Sequence, residues 1–186
     1  MSDSGSKPYL SKSRLISAWQ CPKKLYLEKN KPEVGETSSA TESLFATGDQ
    51  VGEIAKNIYG NDQSVEIAYE AGLANAIKET SRLIEGGFRE PIFEATFQYD
   101  GVLVRVDVLI PTEQGWHAIE VKASTSVKPN HRIDCAIQYW VMRGVGLPIR
   151  SVALAFVDNQ FVYAGNGDYA GLLKEEDLTE DAIERQ

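Results

Sequence analysis

Residues 91–124 read PIFEATFQYDGVLVRVDVLIPTEQGWHAIEVKAS, and this stretch contains three strand-like runs. The first two runs meet at Asp100-Gly101, a dipeptide typical of a tight β-hairpin turn. The second and third runs meet at PTEQG, which is also a turn sequence. We therefore predict three antiparallel strands that follow one another in a meander.

Helical patterns lie on both sides of this meander. Upstream, residues 10–30 predict two short helices, with Ser11 as an N-cap and Pro22 in the first turn of the second helix. Further helices are predicted over 41–60, 70–87 and 133–146, and further strands over 64–69, 151–158 and 160–165. The order of elements favours an α/β or α+β fold, a mixed sheet with an antiparallel meander flanked by helices.

Composition and charge limit the possible functions. The 186 residues, 42% of them hydrophobic, fit one ordinary domain, which we place at 9–170 between a flexible N-terminus, 1–8, and an acidic C-terminal tail, 171–186. The net charge of −8 argues against a general nucleic-acid coat protein. Basic residues nevertheless cluster in 12–31 and 122–132, which leaves room for a local basic groove.

Other function classes are excluded by what the sequence lacks. No apolar run approaches the ~18 residues of a membrane helix, and the N-terminus has no secretory h-region, so no membrane association and a cytoplasmic location are expected. Cys21 and Cys135 are too few for a disulfide framework or a four-thiolate metal site, and we expect buried thiols. Gly48 and Gly52, four apart on a predicted helix, suggest close packing there, and the three tryptophans suggest packing rather than base stacking.

Each strand of the meander carries one acid. Because strand side chains alternate between faces, Asp107 lies opposite the face that we assign to Val102, Val104, Val106 and Val108. A register that aligns Glu94, Asp107 and Glu120 would form a carboxylate cluster with Lys122 at its edge. Clustered carboxylates repel one another, and Mg²⁺ or Mn²⁺ would relieve that repulsion. The alternative is a solvated sheet face with cross-strand ion pairs, although the apolar neighbours of Glu120 and Lys122 favour a covered cleft.

Asp107 followed after twelve residues by Glu120-Val121-Lys122 resembles the PD-(D/E)XK nuclease superfamily. The segment YLSKSRLISAWQCPKKLYLE resembles the N-terminal segment of RecB-like and CRISPR adaptation nucleases. FEATFQYDGVLVRVDVLI and HRIDCAIQYWVM resemble their acid-bearing strands and their Gln-Tyr helix. The order is also similar to a poorly characterised bacterial family with a RecB-like domain. The resemblance covers roughly residues 9–163 and implies a restriction-endonuclease-like core.

The resemblance implies a metal-dependent deoxyribonuclease, exonuclease-like, that acts in DNA repair, recombination or defence. DNA would be its substrate, and a helicase or another repair or defence protein a possible partner. By position, Asp107, Glu120 and the Val121 carbonyl would hold Mg²⁺ or Mn²⁺, and Lys122 would be the catalytic lysine. The remaining implied site residues are Glu94 as an additional acid, Gln138 and Tyr139 beside the phosphate backbone, and Arg105, Lys128 and Arg132 as nucleic-acid contacts.

The chain departs from the family pattern at two points. Where RecB-like enzymes commonly have a histidine, this chain has Gly52, and the neighbouring Glu53 is the candidate for a substitute metal-facing carboxylate. Cys21 matches the first ligand of the iron–sulfur members, but their downstream cysteine trio is absent, so no iron–sulfur cluster is expected. Two alternatives to an active nuclease stay open: a catalytically inactive nuclease-fold module for nucleic-acid binding or assembly, and a protein-interaction domain with a charged sheet face.

Overall fold

The computed structural model describes residues 9–34 and 39–186. In this part of the chain, seven strands form one mixed sheet with six α-helices packed around it. The strands are β1 Leu10–Ser11, β2 Val65–Glu66, β3 Ile92–Tyr99, β4 Val102–Thr112, β5 Gly115–Lys122, β6 Ile149–Val157 and β7 Leu173–Asp177. The helices are α1 Lys12–Gln20, α2 Pro22–Asn30, α3 Ser39–Tyr59, α4 Leu73–Glu85, α5 Pro129–Gly144 and α6 Thr179–Glu184.

The sheet order is β2-β3-β4-β5-β6-β7, and β1 pairs with β4 outside this path. Strands β3, β4 and β5 form the predicted antiparallel meander, β5 and β6 run parallel, and β7 is antiparallel to β6. At the β3–β4 turn, Asp100 and Gly101 have φ values of +44° and +76°. These values suit a hairpin turn that requires two left-handed residues. The predicted fold class, a mixed sheet with an antiparallel meander between helices, is confirmed.

Two hydrophobic clusters cover the two faces of the sheet. The larger contains residues of β3, β4, β5, β6, α4, α5 and α6. The smaller consists of Phe93, Val108, Ile119 and Ala155, with Tyr59 of α3 packed against it. Because both faces are covered, the sheet is buried on both sides around the middle of β4 and β5.

The alternation of side chains along β3 and β4 is interrupted. Val106 belongs to the larger cluster and Val108 to the smaller one, although a regular strand would put both on one face. The prediction that all four valines share the core face is therefore wrong for Val108. On the neighbouring strand, Glu94 has a φ of +58°, a left-handed conformation that is uncommon for a residue with a side chain. This residue breaks the period of two at the level of Asp107.

The predicted acidic tail, residues 171–186, is part of the folded domain. β7 pairs with β6 from Ala153↔Asp177 to Val157↔Leu173, and Leu178 and Ala182 are buried. Most acidic residues of this segment are exposed, whereas Leu178 and Ala182 face the core. The domain therefore includes this segment.

Several smaller expectations also change. Residues 160–165 form no strand, and the Gly165-Asn166-Gly167 turn that follows has three positive φ values. Trp116 is buried as predicted, whereas the Trp19 side chain is 72% exposed. Cys135 is buried but Cys21 is exposed. Across the described ranges, no helix is long and apolar enough to cross a membrane.

Candidate active site

A cleft of about 620 Å³ opens between α3, the middle of β4 and the C-terminal end of β5. The residues along its wall include most of the acidic and basic residues predicted for the site, namely Glu53, Glu94, Asp107, Glu120 and Lys122, together with Val121. The sequence prediction of a covered cleft, rather than a solvated sheet face, agrees with this arrangement.

Strand register brings the three acids into one row. β3 and β4 pair at Phe93↔Val108 and Ala95↔Val106, which leaves Glu94 opposite Asp107. The β4–β5 ladder ends at Val108↔Ile119, and the next step of the same register leads to Asp107 and Glu120. There the Val121 N–H donates to the Asp107 carboxylate at 2.7 Å. The acceptor is thus a side chain of β4 and not one of its backbone carbonyls. The two strands separate at this point, and the cleft begins there.

Glu94 does not join the other two carboxylates. Its Oε2 lies 3.1 Å from Arg105 Nη2, and the Arg105 guanidinium also lies over the Tyr69 ring, 5.2 Å from its centroid. Burial raises the pKa of Glu94 above its usual value. Arg105, which the resemblance implies as a nucleic-acid contact, is thus paired with Glu94. Within the described residues, no three His, Cys, Asp or Glu side chains are disposed to hold one metal ion.

Glu120 is held in a buried network of charges. Its carboxylate is 2% exposed and accepts a hydrogen bond from Lys12 Nζ at 2.8 Å and further bonds from Lys122 Nζ and Gln138 Nε2. The Asp134 carboxylate on α5 lies 2.8 Å from Lys12 Nζ and 3.1 Å from Lys122 Nζ. We call Lys12, Glu120, Lys122 and Asp134 the charged tetrad. Its two ammonium groups balance its two carboxylates, and Asp107 stands beside it.

The pKa shifts of these groups follow from burial and from their neighbours. Burial, reinforced by the charges of Asp107 and Asp134, raises the pKa of Glu120 to about 7. Burial also raises the pKa of Asp107, against the attraction of Lys12. For Asp134, burial acts in the same direction, but Lys12 and Lys122 outweigh it and lower the pKa below its usual value. The three carboxylates Asp107, Glu120 and Asp134 therefore carry more negative charge than the ammonium groups of Lys12 and Lys122 balance.

The lysines of the tetrad stay protonated. Burial alone would lower the pKa of Lys122, but Glu120 and Asp134 outweigh it and raise that pKa above its usual value. The same balance raises the pKa of Lys12. Lys122 is therefore an ammonium donor at neutral pH, which fits orientation of water and charge stabilisation and does not fit a role as proton acceptor.

Lys12 and Asp134 are the members of the site that sequence analysis missed. Asp134 lies four residues before Gln138 on the same helix, and side chains at this spacing share a helix face. Gln138 Nε2 also donates to Asp134 Oδ1 at 3.3 Å, so this spacing was a usable signal. For Lys12 there was no comparable signal, because 108 positions separate it from Glu120.

Other predicted residues have different surroundings from those expected. Gln138 is buried and bonds to Glu120, so it positions a carboxylate rather than a phosphate backbone. Tyr139 is buried in the larger cluster, and its hydroxyl accepts a bond from Arg143 Nη1 at 3.1 Å, which takes it away from any DNA contact. Glu53 lies on the cleft wall, where its carboxylate pairs with Lys56 at 2.7 Å.

The two predicted basic contacts near α5 also lie outside the cleft wall. Lys128 is exposed at the N-terminus of α5, where its backbone N–H donates to His131 Nδ1 at 3.2 Å. Arg132 pairs with Glu176 at 2.5 Å and with Asp181 at 2.6 Å. Its charge is thus neutralised by β7 and α6, and Arg132 ties the C-terminal segment to α5 instead of serving as a phosphate contact.

The donor set of the cleft fits a divalent cation. Asp107 and Glu120 place two carboxylates side by side, and both have pKa values raised by burial in a site with excess negative charge. Carboxylate and carbonyl oxygens are the donors that Mg²⁺ and Mn²⁺ prefer. Asp107, Glu120 and the Val121 carbonyl are the residues that would hold such an ion. Binding would require Glu120 to give up part of its contact with the ammonium groups of the tetrad.

Comparisons with known proteins add little to this description. No family model matches the chain, and no curated protein matches it. Among solved structures, one described as "Crystal structure of SSO0001" is 16% identical over 99% of this chain and 79% of that chain, with a TM-score of 0.46. A likeness at this level carries no conclusion about function, which has to be argued from the cleft itself.

Proposed function

We propose that this protein is a metal-dependent deoxyribonuclease that hydrolyses phosphodiester bonds in its cleft. The observation that carries the proposal is that Asp107, Glu120 and Lys122 line one cleft at the point where β4 and β5 separate. A buried carboxylate, Glu120, and a half-buried one, Asp107, beside a protonated lysine are the groups that a hydrolytic phosphoryl-transfer site requires. The resemblance of residues 9–163 to RecB-like nucleases points to the same reaction.

Each residue has a distinct part in this reaction. A divalent cation held by Asp107 and Glu120 would supply Lewis-acid activation of a water and of the phosphate. The Lys122 ammonium would donate to the phosphate oxygens as negative charge develops during in-line attack, and would orient the attacking water. Gln138 donates to Glu120 and fixes the orientation of that carboxylate. The Val121 N–H does the same for Asp107.

The surface of α1 and α2 supports DNA, and a single strand in particular, as the substrate. α2 has no buried residue, and in the described part of the chain no ion pair involves Lys23, Lys29 or Lys31. Trp19 is 72% exposed and Tyr26 59% exposed on the same pair of helices. Lysines bind phosphates, and exposed aromatic rings stack on bases only where the bases are unpaired. A DNA substrate also accords with a cytoplasmic location.

The alternative is a catalytically inactive nuclease-fold module. One observation favours it: the Glu120 carboxylate already accepts bonds from Lys12, Lys122 and Gln138, which together satisfy it without a metal. If the module is inactive, the cleft has no catalytic role, and the α1–α2 surface alone would bind the nucleic acid.

Cleavage assays separate the two functions. We would incubate end-labelled linear DNA and circular DNA, each single- and double-stranded, with the protein and Mg²⁺ or Mn²⁺. The comparison is between wild type, Asp107→Ala, Lys122→Ala and a control, Lys78→Ala, which alters an exposed lysine on α4. Thermal unfolding of each variant checks that it folds.

The nuclease proposal expects metal-dependent cleavage by wild type and the control, lost in Asp107→Ala and Lys122→Ala. Cleavage of linear but not circular DNA would identify an exonuclease. Cleavage that persists unchanged in folded Asp107→Ala or Lys122→Ala would reject this mechanism. DNA binding with no cleavage by any protein would favour the inactive module.

A further inference from the structure

Lys12 links the N-terminal helix to the proposed metal ligand. It is the first residue of α1, its side chain is 15% exposed, and its Nζ lies 2.8 Å from Glu120 Oε2 and 2.8 Å from Asp134 Oδ1. The contact joins residues 108 positions apart. The Lys12 ammonium therefore places a positive charge of the protein itself against the Glu120 carboxylate.

The rest of α1 has few buried side chains. Among its residues only Ser17 is buried, and that hydroxyl donates to Glu28 of the neighbouring helix α2 rather than to the sheet. Leu15 is partly buried against the larger cluster, and β1, directly before α1, is anchored by the Leu10 N–H bond to the Gly101 carbonyl at 2.8 Å. The Lys12 ion pairs are therefore part of what holds α1 on the sheet, together with Leu15 and β1.

A divalent cation on Asp107 and Glu120 would meet the Lys12 ammonium at close range. Both cations seek the oxygens of the same carboxylate, and like charges repel strongly in a site shielded from water. Asp107 also attracts Lys12 electrostatically, so an ion bound there weakens a second attraction. The two positive charges cannot both have their full contact with Glu120.

We propose that Lys12 competes with the divalent cation for Glu120, so that metal binding and the docking of α1 oppose each other. This inference rests on the proposed metal site and adds a regulatory role for Lys12, which is not one of the proposed metal ligands. Asp134 keeps its own contact with Lys12 and limits how far the lysine moves. Because coupling between two binding events is reciprocal, removing Lys12 strengthens metal binding, and metal loosens α1.

The first test measures Mn²⁺ affinity by calorimetry and by the electron paramagnetic resonance of free Mn²⁺. The proteins are the full chain, Lys12→Met, and Arg14→Met as a matched control. Arg14 lies on the same helix and is exposed, and no ion pair within the described ranges involves it. We expect Lys12→Met to bind Mn²⁺ about 5-fold to 150-fold more tightly than wild type, the usual range of coupling, and Arg14→Met to match wild type.

The second test needs no substitution. Hydrogen exchange of the amides in residues 16–20 of wild type should become faster when Mn²⁺ is added, while exchange in β4 should not. This measurement keeps the inference testable if Lys12→Met fails to fold. Unchanged or slower exchange of residues 16–20 in saturating Mn²⁺ overturns the proposal.

The outcomes separate this inference from the proposed function. Wild type that binds Mn²⁺ and cleaves DNA, with Lys12→Met binding no more tightly, rejects the competition and leaves the nuclease intact. Tight Mn²⁺ binding by Lys12→Met, with weak binding by wild type, supports the competition even if no DNA is cleaved. No Mn²⁺ binding by either protein rejects the metal site and the competition together.

Discussion

The Asp107 carboxylate accepts the Val121 backbone N–H at 2.7 Å, at the point where β4 stops pairing with β5. A side chain thus satisfies a backbone group that the separating strands leave without a partner. A buried N–H without an acceptor would be costly. The same carboxylate that we propose as a metal ligand is therefore also part of the sheet, and substitutions at Asp107 can separate these two roles.

Asp107→Asn should keep the fold and lose the activity. The amide oxygen of asparagine can still accept the Val121 N–H, so we expect a loss of about 1 kcal/mol or less in the free energy of unfolding. The missing negative charge should reduce cleavage by about 10²-fold or more. Urea unfolding and cleavage rates measured side by side check both effects, with Asp107→Ala expected to be the less stable variant. Wild-type cleavage by Asp107→Asn would contradict its role as a ligand.

Asp134→Asn should destabilise the protein. Lys12 and Lys122 both contact the Asp134 carboxylate, so its neutralisation leaves two partly buried ammonium groups sharing Glu120. Breaking a buried ion pair typically costs about 3–5 kcal/mol. The matched control is Glu79→Gln, whose partner Arg82 is exposed, and little change in stability is expected because water screens such a surface pair. Equal stability of the two variants in urea would show that the tetrad contributes little.

Mn²⁺ affinity should fall as the pH drops below about 7. The pKa of Glu120 is raised to about 7 in the folded protein, so between its ordinary value and 7 the folded carboxyl keeps a proton that the unfolded chain has released. In this window Glu120 alone makes the protein less stable as pH rises. Metal binding requires the ionised form, so each pH unit below 7 should cost about tenfold in affinity. Calorimetry between pH 5.5 and 8 measures this, and a flat profile would count against Glu120 as a ligand.

Gly52→Ala should raise stability and lower cleavage. Gly52 lies within α3, and a Cβ built there meets no heavy atom within 4 Å, so the expected close packing against a neighbour is absent. Alanine should therefore add about 1 kcal/mol through helix propensity. Gly52 also lines the cleft, where the added methyl group would occupy space that we assign to the DNA backbone. The control is Ala74→Gly at an exposed position of α4, for which we expect lower stability and unchanged cleavage. Faster or equal cleavage by Gly52→Ala would place the DNA elsewhere.

Lys23 and Lys29 of α2, with Lys31 directly after it, should determine the salt dependence of DNA binding. Replacing Lys23, Lys29 and Lys31 together by glutamine should reduce the slope of log affinity against log salt for single-stranded DNA by about 2. Trp19→Ala should weaken single-stranded binding by about 1–3 kcal/mol if one base stacks on the ring. Fluorescence anisotropy at several salt concentrations measures both, with Lys78→Gln as the control. An unchanged slope in the triple variant would remove α2 from the DNA path.

The meander and its row of acids could be predicted because their signals are local. The Asp100-Gly101 turn and the alternation along β4 and β5 each depend on residues close in sequence. The period of two failed at this level of the sheet, where Glu94 of β3 is left-handed and Val108 of β4 belongs to the smaller cluster. Sequence alone gives no signal for a left-handed glutamate.

The charged tetrad was only half predictable. Glu120 and Lys122 are neighbours on one strand, but Lys12 and Asp134 reach them from two helices that are distant in sequence. Contacts of this kind depend on how helices pack on the sheet, which residue pattern does not specify. The negative charge of 171–186 also led to the wrong prediction of a tail outside the domain. Burial of Leu178 and Ala182 holds this segment on the core despite its many acids.

The pairing of β7 with β6 has a consequence for solubility. β6 is rich in apolar residues, and its free side would offer a second molecule a row of backbone donors and acceptors to extend the sheet. β7 covers that side with five residues, LKEED, four of them charged. A short charged edge strand is a poor template for further strands. The acidic strand β7 thus makes this edge of the sheet a poor site for pairing with a second molecule.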